Sequence, residues 1–162
     1  MRRCLLAVLL QGSMGIAFAT DVAPPAANPF DAALAKRAGA DDRGMRSYVL
    51  VVLKTGPTKV EDAEARKAMF AGHFANMERW SKAGTLVLAG PFSKDADGWR
   101  GLYVFAVVDK AAAQALTETD PVIVNGEMVA EYHDWYGSAA LMLLPEQHDK
   151  LVPPVAAFAN KD

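Results

Sequence analysis

Cysteine is almost absent: the 162 residues contain one, Cys4. It lies in a segment expected to be removed, so the mature chain has no disulfide, no thiolate nucleophile and no cysteine metal site. Net charge is small as well. Seventeen Lys and Arg stand against 19 Asp and Glu, a formal balance of −2, which excludes a protein that grips nucleic acid through phosphate electrostatics. No apolar run approaches the roughly 20 residues needed to cross a bilayer. The chain also lacks a P-loop, an HExxH pair, an EF-hand loop and a GxSxG elbow, so neither a bound metal nor a cofactor is expected.

What is present is an apolar fraction of 52%, too high for a disordered chain, and a length suited to one domain with short extensions. Residues 1–19 read as a signal peptide. Arg2 and Arg3 precede the apolar stretch Cys4–Leu10, and Ala17-Phe18-Ala19 offers a small-x-small site with cleavage before Thr20. The protein is therefore expected in the periplasm or secreted, without a membrane anchor after cleavage, and the mature charge becomes −4 once Arg2 and Arg3 are gone. Residues 20–44 form a Pro/Ala-rich leader. Within it Asn28-Pro29 is expected to cap a short helix, Phe30–Ala38, that stops at Gly39.

The domain proper is expected over residues 45–137, with 138–162 as a C-terminal extension. Tyr48–Leu53 reads as a strand apolar on both faces. Glu61–Ala83 has helical period, with Met69, Phe70, Phe74, Met77 and Trp80 on one stripe and Gly84 at its end. Thr85–Ala89 is a second strand, stopped by Gly90-Pro91. Leu102–Val108 is a third, Asp109 caps a helix through Leu116, and Met128–Tyr136 is a fourth strand. This order is the split β-α-β-β-α-β unit of an α+β, ferredoxin-like fold. Helices cover one face of such a sheet, yet the strands are apolar on both. The first expectation for the second face is another copy of the chain, sheet against sheet in a symmetric homodimer. The alternative is that the segment after Tyr136, containing Leu141–Leu144, folds back over it.

Three histidines remain as chemical candidates. His73 lies on the helical stripe and points toward the sheet, either as a core imidazole satisfied by a backbone carbonyl or as an acid–base group lining a pocket. Asp120 precedes Pro121 and reads by itself as a turn residue; a carboxylate held against one imidazole nitrogen would instead fix the tautomer and free the other nitrogen as a base. His133 belongs to the fourth strand and reads as a strand-end residue, and His148 lies in a polar tail.

The run His73-Phe-Ala-Asn-Met, then Gly84-Thr-Leu-Val-Leu-Ala-Gly90-Pro91, Gly101, Asp120-Pro121 and Gly126, closing with Trp135-Tyr136-Gly137, resembles the YCII-related family from about Ser47 to Tyr136. The resemblance implies a dimeric α+β barrel and a His–Asp dyad, here His73 and Asp120. One family activity it implies is chloride elimination from a chlorinated hydroxyquinone. Relatives often carry arginine where this chain has Phe70; Arg66, one turn earlier, is the expected substitute in substrate binding. Two functions follow as expectations. One is a cofactor-free lyase, dehalogenase or isomerase acting on a small aromatic or enolisable molecule, with the backbone at Gly90 and Pro91 holding a developing oxyanion. The other is a secreted dimer that binds a small ligand without transforming it.

Overall fold

The computed structural model describes residues 29–93 and 97–153. Residues 1–28, which hold the expected signal peptide and the expected Asn28 cap, the middle of the 93–98 turn and the last nine residues lie outside them. The chain divides after Phe30, and the sheet with its helices belongs to the unit that begins at Asp31.

Four strands form one antiparallel sheet. They are β1 (Met45–Thr55), β2 (Leu86–Pro91), β3 (Trp99–Phe105) and β4 (Met128–Ser138), in spatial order β2-β3-β1-β4. Helix α2 (Ala63–Lys82) joins β1 to β2. Helices α3 (Lys110–Thr117) and α4 (Pro121–Val124) join β3 to β4, and α1 (Ala32–Ala38) precedes the sheet. The architecture is α+β with the ferredoxin-like element order. The central strand β1 pairs along its whole length with β4 and through Val49–Lys54 with β3, which is why its ends reach well beyond the apolar core Tyr48–Leu53.

Several further boundaries differ from the sequence reading, three of them for a clear local reason. The cap of α1 is Asp31, whose carboxylate accepts the Leu34 amide at 2.8 Å; this capping side chain stands next to the first helical turn. Strand β2 continues through Gly90 and Pro91 because it is an edge strand, where a missing N–H costs no ladder bond. Strand β3 begins at Trp99 and leaves the ladder after Phe105, although the apolar run goes on to Val108. Ala106 and Val107 are only partly buried and Val108 is 91% exposed, so the apolar run outlasts both the core and the pairing with β1 and β2 that sets the strand end.

Strand alternation sends alternate side chains to the two faces. Val49, Val51, Leu53, Tyr103 and Phe105 face the helices, packing with Met69, Trp80, Ala113 and Val122. Tyr48, Val87 and Val104 face the other way. Those three are at most 4% exposed within a single chain, because Leu141 and Met142 pack on them from a 3-10 segment, Ala139–Leu143, that leads into α5 (Leu144–Leu151). The C-terminal segment, the alternative cover named above, thus lies on part of this face, while Val129 and Trp135 on the same face stay 43% and 38% exposed. Arg46 ties the leader helix to the sheet by donating to the Ala38 carbonyl at 2.9 Å.

Candidate active site

The buried face of α2 carries Met69, His73, Asn76 and Trp80, a spacing of four, three and four residues that follows one helical stripe. This corrects the stripe read from the sequence. Phe74 is 61% exposed and Asn76 sits on the inward line, while His73 lies inward as expected. Both polar groups point at the corner between α3 and α4. Asn76 donates to the Thr119 carbonyl at 2.9 Å, and the His73 ring meets Asp120.

Asp120 is held in place by its own role as helix cap. It is the N-cap of α4, with Pro121 in the first helical turn and its Oδ1 accepting the Val122 amide at 3.2 Å. Its side chain is wholly buried. His73 Nδ1 lies 3.0 Å from Oδ1 and 2.9 Å from Oδ2. A carboxylate only accepts, so Nδ1 carries the proton and donates it, and Nε2 is left with its lone pair. The bland assignments, a carbonyl partner for His73 and a simple turn role for Asp120, give way to a buried imidazole–carboxylate pair.

A third group completes the cluster. The Tyr103 hydroxyl, rising from β3, donates to Asp120 Oδ2 at 3.0 Å and stands 3.2 Å from His73 Nδ1. Burial first, and then the Asp120 carboxylate, push this hydroxyl far above the usual phenol range, so it keeps its proton throughout the neutral range. The sequence analysis did not single out Tyr103 as a partner of His73 or Asp120. Its signal was alternation with Phe105 on an inward face, where a phenol needs a partner for its O–H.

Backbone proximity makes the pair possible. A Cβ built on Gly72 would lie 2.9 Å from Cγ of Pro121, so the absent side chain lets α2 approach the corner that carries Asp120. Gly72→Ala gains about 1 kcal/mol of helix propensity and loses about 1–3 kcal/mol to overpacking. The expected result is a modest net loss of stability in urea unfolding, together with altered His73 ring resonances in NMR as the helix is pushed off the corner. Unchanged resonances would show that the close approach does not set the pair.

Around the outer side of His73 are aromatic rings. Phe70 stands edge-on at 6.0 Å and Phe74 at 5.3 Å between centroids. Phe70 also lines a cavity of about 370 Å³ with Lys59, Val60, Glu61, Ala63, Arg66 and Lys67. His73 and Asp120 do not line that cavity; Phe70 is the shared wall. Arg66 lies at its edge with its guanidinium 4.8 Å above the Phe70 ring. It is already paired, through Nη2 at 2.7 Å and Nε at 3.2 Å, with Glu127 Oε1. The Arg66 guanidinium, and after it the Val60 amide, hold the Glu127 carboxyl below the usual range. Arg66 is therefore a half-committed cation, where the sequence reading had it free for a substrate.

The other sequence candidates fall elsewhere. Gly90 and Pro91 occupy the exposed end of the edge strand, opposite Leu102 and Gly101. No hydrogen bond or ring contact among the described residues joins them to His73. His133 pairs in register with Leu50 on the far face of the sheet, and His148 is exposed on α5. Among the described residues no three His, Cys, Asp or Glu side chains gather as metal ligands, and no helix is long and apolar enough to cross a membrane.

Comparison with known proteins adds two likenesses. The model of the YCII-related domain matches residues 47–135. Among solved structures the chain is similar to 5-chloro-2-hydroxyhydroquinone dehydrochlorinase from Burkholderia phenoliruptrix, in complex with 2,5-dihydroxybenzoquinone, with 17% identity and a TM-score of 0.40 over 54% of this chain and 92% of that one. No curated protein sequence matches.

Proposed function

The chain belongs to the YCII-related domain family, and on that footing we propose that it is a proton-transfer enzyme, a lyase or isomerase acting on a small aromatic or enolisable molecule. One observation supports this above the rest: His73 Nδ1 is anchored 2.9 Å from a fully buried carboxylate. That arrangement fixes the tautomer, orients the ring and stabilises the imidazolium that forms when Nε2 takes a proton. Nε2 accepts the proton from an acidic C–H or O–H of the substrate. The electron pair left behind forms a new π bond as a leaving group departs, in a lyase, or is reprotonated at another carbon, in an isomerase. Phe70 and Phe74 supply apolar contact for a flat substrate, and Arg66 with Lys67 supplies positive charge at the cavity beyond Phe70. Export, with cleavage before Thr20, completes the proposal, supported by the basic and apolar pattern of residues 1–19.

A second reading, a ligand-binding protein without turnover, is favoured by one observation: His73 is only 7% exposed, and the nearby cavity touches Phe70 but not the imidazole. The two separate in one experiment. The mature protein is incubated with a panel of small halogenated phenols and enolisable ketones, while halide release and solvent deuterium uptake are followed. Proton transfer by His73 requires that His73→Ala lower any turnover by about a hundredfold or more. An unchanged rate sinks the assignment. Ligand binding that survives the substitution, with no turnover in either protein, selects the second reading.

A further inference from the structure

The structure assigns to Tyr103 a positioning role: its hydroxyl, donating to Asp120 Oδ2, holds the carboxylate as an anion turned toward His73 Nδ1 and so sets how strongly His73 binds a proton. The inference rests on His73 and Asp120 being the working pair. The geometry leaves the phenol little choice. Three polar atoms meet within 3.2 Å: the Tyr103 oxygen, Asp120 Oδ2 and His73 Nδ1. Asp120 is the only pure acceptor among them, so the tyrosine proton and the Nδ1 proton both go to it. With the Val122 amide on Oδ1, each carboxylate oxygen has one donor besides the imidazole.

Donors of this kind favour the carboxylate over the neutral acid. They spread its charge over three partners, so the proton stays on Nδ1 and the carboxylate attracts the imidazolium less strongly than a bare one would. The Tyr103 ring is itself fixed: Trp80 stands edge-on at 5.9 Å, Phe105 at 5.4 Å is tilted against it, and the strand pairs on both sides with Val51 and Ala89. The hydroxyl therefore has a set position without help from a substrate. The other charged groups near the cluster meet it through rings or a hydroxyl. Arg66 stacks over the Phe70 ring, and Arg79 stacks at 6.0 Å over Trp80 and reaches the Thr119 hydroxyl at 3.5 Å.

The test is Tyr103→Phe in the mature protein, with His73 followed by ¹⁵N NMR of its ring across a pH titration. Loss of the donor leaves the carboxylate a stronger partner for imidazolium, so the proton affinity of His73 rises by roughly threefold to tenfold. Placing 3-fluorotyrosine at position 103, a stronger donor of nearly the same shape, lowers it. If Tyr103→Phe does not fold, the titration of the fluorotyrosine protein decides by itself. In an Asp120→Asn background, Tyr103→Phe produces no further change. A titration that is the same in the unaltered, phenylalanine and fluorotyrosine proteins, even where thermal stability falls, overturns the inference and leaves Tyr103 as packing. None of these measurements needs a substrate. A protein with no turnover but a shifted His73 loses the enzymatic reading and keeps this one, and an active protein with an unmoved titration does the reverse.

Discussion

Asp120→Ala is expected to lower the free energy of unfolding by about 3–5 kcal/mol, a loss that removes much of the stability of a domain this size. The side chain does three jobs at once. It caps α4 by accepting the Val122 amide, a contact worth about 1 kcal/mol. It also accepts the Tyr103 hydroxyl and the His73 N–H, both buried. Removing it leaves two donors in a place that water reaches poorly, each costing about 1–3 kcal/mol. Urea unfolding checks the figure. The shape-conserving Asp120→Asn loses less, because its oxygen still accepts from two of the three donors. A double-mutant cycle with His73→Ala isolates the pair: a coupling below about 0.5 kcal/mol, the additive limit for independent sites, would mean that the 2.9 Å contact contributes nothing in solution.

Much of that site was legible in the sequence. His73 falls on the inward side of its helix, and Asp120 is marked by the proline after it, which ends one helix and starts another. What brings them together is harder to read. Gly72 looks like a weak point in a helix until Pro121 is seen against it. Phe74 and Asn76 exchange their expected places because a tertiary partner, the Thr119 carbonyl, compensates the buried amide; hydrophobic period alone ranks phenylalanine inward. Glu127 was invisible for the same reason, its burial being compensated by Arg66 on α2 and by the Val60 amide in the loop before it, 61 and 67 residues earlier in the chain. Sequence patterns report apolar burial well. They report polar burial only when both partners are guessed together.

The fold shows the same division. Element order followed from punctuation by Gly, Pro and Asp, while the cover of the second sheet face turned on a segment with no strong periodic signal. That segment carries the second large prediction. Leu141 and Met142 are half-buried, yet Tyr48, Val87 and Val104 beneath them are almost completely so. Replacing both with serine removes their own burial and admits water to the three residues below. At about 25 cal/mol per Å² of apolar area, the double substitution Leu141→Ser with Met142→Ser costs about 2–4 kcal/mol. Leu151, on the same segment and 78% exposed, serves as control, since Leu151→Ser stays within about 0.5 kcal/mol. Urea unfolding gives the energies, and binding of a hydrophobic dye to the double variant reports the uncovered face. A double variant as stable as the control would mean that residues 139–143 do not seal the sheet in solution. The burial of Tyr48 would then need another source, and a second copy laid on the same strands would again be the simplest one.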